Sequence, residues 1–153
     1  MKNILIAFVL IISFSKVSFS QDTNPKYNQK LADSLGADAF GMKEYVFCLL
    51  KTGPANIKDK YKLNQLFVGH MENINKLADA GKLVIAGPFG KNDKNYRGLF
   101  ILNVKTIDEA KLLLQTDPCI REKVFEADLT PWYGSAAIIE YLKIHKTIEK
   151  SKP

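Results

Sequence analysis

Two cysteines and two histidines are a thin supply for metal or disulfide chemistry in a chain of 153 residues. Cys48 and Cys119 stand far apart, with no Cys-x-x-Cys pair and no histidine at the short intervals of a zinc site. His70 and His145 fall in different segments, so no metal is expected, and two separate free thiols are expected rather than a bridge. No Gly-x-Ser-x-Gly elbow occurs and neither cysteine has an adjacent base, which excludes the ordinary serine and cysteine hydrolases. Gly87-Pro88-Phe89-Gly90 lacks the lysine and the following helix of a phosphate loop, and no cofactor is expected.

Long apolar runs are also scarce. Ile4 to Phe14 is 11 residues, too short for a permanent membrane span. It follows Met1-Lys2-Asn3 and leads into Ser18-Phe19-Ser20, small residues where a signal peptidase reads, so residues 1–20 are expected to be a signal peptide cleaved before Gln21. The product would be exported, periplasmic or secreted, with no stable membrane anchor. Cleavage would leave 20 basic residues against 16 acids, a net charge of +4. Lysines are interleaved with acids, as in Lys58-Asp59-Lys60, which is the pattern of a solvated surface; no nucleic-acid partner is expected.

With 46% hydrophobic and 25% charged residues, the rest has the profile of one globular domain. Residues 21–43 form an appendage: a loop, then a short helical stretch interrupted by Gly36 and Gly41. The core, 44–134, opens with a strand at 44–51. A helix over 58–81 follows, ending on Gly81, then a strand at 82–89 and a hairpin partner at 97–105. Thr106 and Glu109 are spaced as a capping box for a second helix, which Pro118 should stop, and a last strand ends at Pro131-Trp132-Tyr133-Gly134. Residues 135–153 read as a C-terminal helix and tail. The order β-α-β-β-α-β is the α+β, ferredoxin-like arrangement, a four-stranded antiparallel sheet with two helices on one face. Phe47, Ile85 and Phe100 would stand on the other face, for which a second copy of the chain is the expected cover.

One residue conflicts with its surroundings. At 3.6 residues per turn, His70 shares the apolar stripe of Leu63, Leu66, Phe67, Ile74 and Leu77, where an imidazole costs stability unless it is hydrogen-bonded. A lone histidine there is ordinarily a satisfied structural residue. If it only filled space, an apolar replacement should be neutral or stabilising.

The stretches "GHMENINKLADAGKLVIAGPFG", "TIDEAKLLLQTDP" and "TPWYG" stand in the order and spacing of the YCII-related domain family, which residues 43–134 resemble. The resemblance implies a dimeric α+β barrel like that of the muconolactone isomerases, hence a homodimer. It also implies an active site centred on a histidine and an aspartate. A few members are linked to dehydrochlorination of chlorinated aromatic breakdown products. Carried over by position, the histidine is His70 and the aspartate Asp117, with Ala86, Gly87 and Pro88 at the small-residue strand end. The signal peptide, appendage and C-terminal helix are additions to the family pattern and speak against a cytoplasmic catabolic role.

An unperturbed imidazole titrates at about 6.5, so a carboxylate beside it can fix one tautomer and leave the other nitrogen for proton transfer. An aspartate before proline is also ordinary turn and cap chemistry. Phe89, Trp132 and Tyr133 are expected beside the pair, with strand-end packing the ordinary alternative for Trp132 and Tyr133, and Arg97 or Lys51 could neutralise a substrate carboxylate. The expected activity is isomerisation or elimination on a small, aromatic-derived or lactone-like acid. A non-catalytic envelope module that binds a small ligand, or simply dimerises, is the competing class. "RGLFILNV" begins like an RNA-recognition strand, but Leu99 and Ile101 replace the stacking aromatics.

Overall fold

The computed structural model describes residues 24–151; the expected signal peptide lies outside them. Four strands, β1 (Met42–Thr52), β2 (Leu83–Pro88), β3 (Tyr96–Leu102) and β4 (Phe125–Ser135), form one sheet in the order β2-β3-β1-β4. Every neighbouring pair is antiparallel, and the strand order is that of the ferredoxin-like fold. Among the described residues no helix is long and apolar enough to cross a membrane.

Helix α2 (Lys60–Asp79) begins where Asp59 accepts the backbone N–H groups of Tyr61 and Lys62. It ends in a Schellman motif: Gly81 takes φ 66°, its N–H reaches Ala78 O, and the Lys82 N–H reaches Leu77 O at 2.9 Å. Helix α3 (Ile107–Leu114) carries the Thr106/Glu109 capping box in full. Pro118 does not simply stop that helix. It sits in the first turn of a separate short helix, α4 (Pro118–Arg121), because its fixed φ and missing N–H suit a helix start as well as they forbid a helix interior.

Alternation along the strands divides the apolar residues between two faces. Val46, Cys48, Leu50, Phe100 and Leu102 face α2 and α3, where they pack with Leu77, Leu83 and Leu114, each burial contributing about 1.5–3 kcal/mol. Phe100 therefore belongs to the helix side, correcting the sequence-based placement. Tyr45, Val84 and Ile101 are buried on the opposite face, with Phe47, Ile85 and Leu99 half-buried around them. That face is partly covered within the same chain. The C-terminal segment begins as a 3-10 turn (Ala136–Glu140), which lays Ile138 and Ile139 against it, and becomes α5 (Tyr141–Ile148) only afterwards. The ion pair of Lys146 with Asp79, 2.7 Å, links α5 to α2, though both groups are largely exposed and such pairs contribute at most about 1 kcal/mol.

The appendage supplies α1 (Gln29–Leu35), capped by Asn28 and ended by Gly36 at φ 68°. It buries no residue of its own. Asp38 ties it down by accepting hydrogen bonds from the Phe40 and Met42 backbones and from the Tyr133 hydroxyl.

Candidate active site

His70 projects from the middle of α2 toward α4, and the residue before it explains how the two helices come close enough. A Cβ on Gly69 would stand 2.8 Å from Cγ of the Pro118 ring, so glycine lets Pro118 lie against the helix backbone. Asp117, immediately before Pro118, is brought opposite the imidazole. His70 Nδ1 lies 2.6 Å from Asp117 Oδ2, with the carboxylate fully buried and the imidazole 10% exposed. The other oxygen, Oδ1, accepts the Cys119 backbone N–H at 2.9 Å. Asp117 thus caps α4 with one oxygen and meets His70 with the other. A hydrogen bond between Thr116 Oγ1 and the Asn73 side chain, 2.7 Å, adds a second tie between α2 and this connection.

An ionised carboxylate can only accept, so beside it a neutral imidazole carries its proton on Nδ1 and its lone pair on Nε2. Nε2 has no hydrogen-bond partner among the described residues, and no buried side-chain nitrogen or oxygen among them lacks one. Nε2 therefore opens onto free space. That space is a cavity of about 1140 Å³ between α2 and the ends of β1, β2 and β3. Rings surround the imidazole: Phe125 stands edge-on at 5.2 Å, Phe100 stacks at 6.1 Å, and Phe67 packs against Phe125 at 5.8 Å.

Of the residues expected beside the pair, Gly87, Pro88 and Arg97 line this cavity, with Ala86. A Cβ on Gly87 would meet nothing within 4 Å, and the Arg97 Nε–H donates to Thr52 Oγ1 at 2.6 Å. Phe89, Trp132 and Tyr133 do not line it. Phe89 stays by the hairpin turn against Tyr96. Trp132 packs on Tyr45, on the sheet face away from His70. Tyr133 is spent on Asp38. Lys51 pairs with Asp128 at 2.6 Å, outside the cavity. The aromatic surroundings of His70 come instead from Phe67, Phe100 and Phe125.

Sequence reasoning also passed over Cys119. Together with His70 and Asp117 it offers donor atoms within 4.8 Å of one another, the group of described side chains that could ligate a metal ion. Spacing from His70 hides this group, because Cys119 enters through its neighbour Asp117. Both cysteines are free and buried. Burial, and then the Asp117 charge, push each thiol up to about 12, so neither is a ready nucleophile.

The YCII-related domain model matches residues 45–132. The chain belongs to the YCII-related domain family. Comparison with curated proteins returns no match. Among solved structures, 5-chloro-2-hydroxyhydroquinone dehydrochlorinase from Burkholderia phenoliruptrix AC1100, in complex with 2,5-dihydroxybenzoquinone, aligns at 18% identity with a TM-score of 0.40, covering 57% of this chain and 92% of that one. The YCII match takes in most or all of each of the four strands and both residues of the His70/Asp117 contact, and it ends before α5.

Proposed function

We propose that this YCII-family protein is an exported enzyme that moves a proton on a small, aromatic-derived or lactone-like acid, with His70 as the acid/base group and Asp117 as its positioning partner. The observation that carries the reading is the His70 imidazole itself, held at Nδ1 by a buried carboxylate while Nε2 faces an aromatic-lined cavity. In the proposed step Nε2 takes a proton from a carbon next to a carbonyl, and the C–H electron pair moves onto the carbonyl oxygen. The imidazolium so formed rests against Asp117. The pair of electrons then returns to a different carbon, which His70 protonates, or expels a leaving group from the neighbouring carbon. The first outcome is isomerisation and the second elimination; neither requires a metal. Arg97, at the cavity wall, is proposed to pair with a substrate carboxylate.

The functional molecule is proposed as a homodimer that closes the half-buried face around Phe47, Ile85 and Leu99, and as a protein beginning at Gln21. Intact mass of secreted material tests the start, and retention of a full-length chain in the membrane would contradict export. Proton transfer is tested by deuterium wash-in from D2O, followed by NMR, into unsaturated γ-lactones carrying a carboxymethyl group and into hydroxylated aryl acids. Wild-type protein should speed exchange at one carbon and His70→Ala should not. Binding of these acids with no exchange would favour the non-catalytic binding module.

A further inference from the structure

The cavity has a second wall that the YCII domain does not supply. Helix α5 contributes Tyr141, Leu142 and His145 to it, so both histidines of the chain line one cavity although 75 residues separate them in sequence. Tyr141 and His145, one helical turn apart, stack with ring centroids at 5.5 Å and planes inclined by 21°. His145 is exposed, which puts its ring at the solvent side, whereas His70 is buried in the interior. At about 1140 Å³ the cavity also exceeds the ordinary range for small-molecule sites, about 300–1,000 Å³. That volume leaves room for a ligand that meets both His70 and the α5 wall.

We infer that α5 carries a second subsite, in which His145, steadied by Tyr141, hydrogen-bonds a hydroxyl at the far end of an elongated acid whose reacting end meets His70. The inference rests on the small-molecule reading of the cavity and names the shape and chemistry of the ligand: a carboxylic acid with a rigid apolar body and a remote hydroxyl. An imidazole both donates and accepts, so it can satisfy a hydroxyl in either sense. Because α5 lies outside the YCII match, this selectivity would come from a segment that is not part of the family domain.

The probes are 4-hydroxycinnamate and cinnamate, which differ only in the remote hydroxyl, titrated into the purified protein. With two histidines in the chain, two imidazole Cε1–H signals report separately on the interior and on the α5 wall. 4-Hydroxycinnamate should move both signals and bind about 10-fold tighter than cinnamate. His145→Phe keeps a ring to stack on Tyr141 and should bring the two affinities together. An unchanged preference in His145→Phe, movement of the His70 signal without that of His145, or no response to either acid would overturn the inference. Failure of the acid/base reading looks different: both affinities persist, and His70→Ala leaves proton exchange as it was.

Discussion

Gly69 and Pro118 meet across α2 and α4, each next in sequence to one member of the His70/Asp117 contact. An alanine in the middle of a helix ordinarily gains about 1 kcal/mol over glycine. Here its Cβ would meet the Pro118 ring at 2.8 Å, and a proline ring cannot swing aside. Gly69→Ala should therefore destabilise the fold, by about 1–3 kcal/mol as overpacking usually does, and weaken any activity that depends on the pair. Urea denaturation checks the sign, and a gain in stability would show that the helices are free to part.

Substituting His70 should also cost stability. The sequence alone favoured the opposite result, since leucine removes a buried polar group from an apolar stripe. The structure reverses the sign, because His70→Leu strands Asp117 Oδ2, fully buried, with no partner. A loss of about 1–3 kcal/mol is expected in chemical denaturation, and a neutral result would mean that the carboxylate finds water or another donor.

The thiols give a prediction in pH. Cys48 and Cys119 are pushed up to about 12 in the fold, whereas an unfolded cysteine titrates at about 8.5. The folded state holds those protons more tightly, so this contribution is fully present below about pH 8.5 and is lost as pH rises toward 12. Stability should fall across that alkaline window, and less steeply in Cys48→Ala. At pH 8 neither thiol should react with a disulfide reagent until the protein unfolds, when two should appear.

Docking of the appendage is expected to be acid-sensitive. The Tyr133 hydroxyl, and then the Met42 backbone N–H, hold the Asp38 carboxyl below its ordinary value. The contribution is present above the ordinary carboxylate range and lost as pH falls through the lowered one. Tyr133→Phe should move the Asp38 carboxyl 13C titration upward, and an unmoved titration would separate the two groups.

Much of the scaffold was legible because its signals are local. The capping box at Thr106 and Glu109 and the left-handed Gly81 mark helix ends whatever surrounds them, and the β-α-β-β-α-β order follows from such boundaries. Pro118 misled because proline favours a helix start as strongly as it forbids an interior, and only the Asp117 cap decides between them. The aromatic lining was misplaced for a reason of parity. Phe125 and Trp132 lie seven residues apart on an unbroken stretch of β4, hence on opposite faces, and the face that meets α2 is the one Phe125 occupies. Gly69 carried a readable signal, a glycine inside a strongly helical pattern, whose meaning needed the position of Pro118. The α5 wall carried none, since nothing in its sequence says which side of the sheet it will reach.

Self-association is tested at the half-buried sheet face. Light scattering at tens of micromolar should give twice the chain mass, and Leu99→Glu should return the protein to monomer, because it places a charge in the middle of the proposed interface. A monomeric wild type would mean that Ile138 and Ile139 cover enough of that face by themselves.

The imidazole nitrogens of His70 test the central claim most directly. In the wild-type protein, 15N spectra at a pH where the ring is neutral should show a protonated Nδ1 and a bare Nε2 facing the cavity. Asp117→Asn must still accept the Cys119 N–H with its amide oxygen, which turns the amide nitrogen, a donor, toward Nδ1. The proton should then move to Nε2, and proton exchange into substrate should stop. A wild-type ring protonated on Nε2, or one tautomer shared by both proteins, would contradict the account.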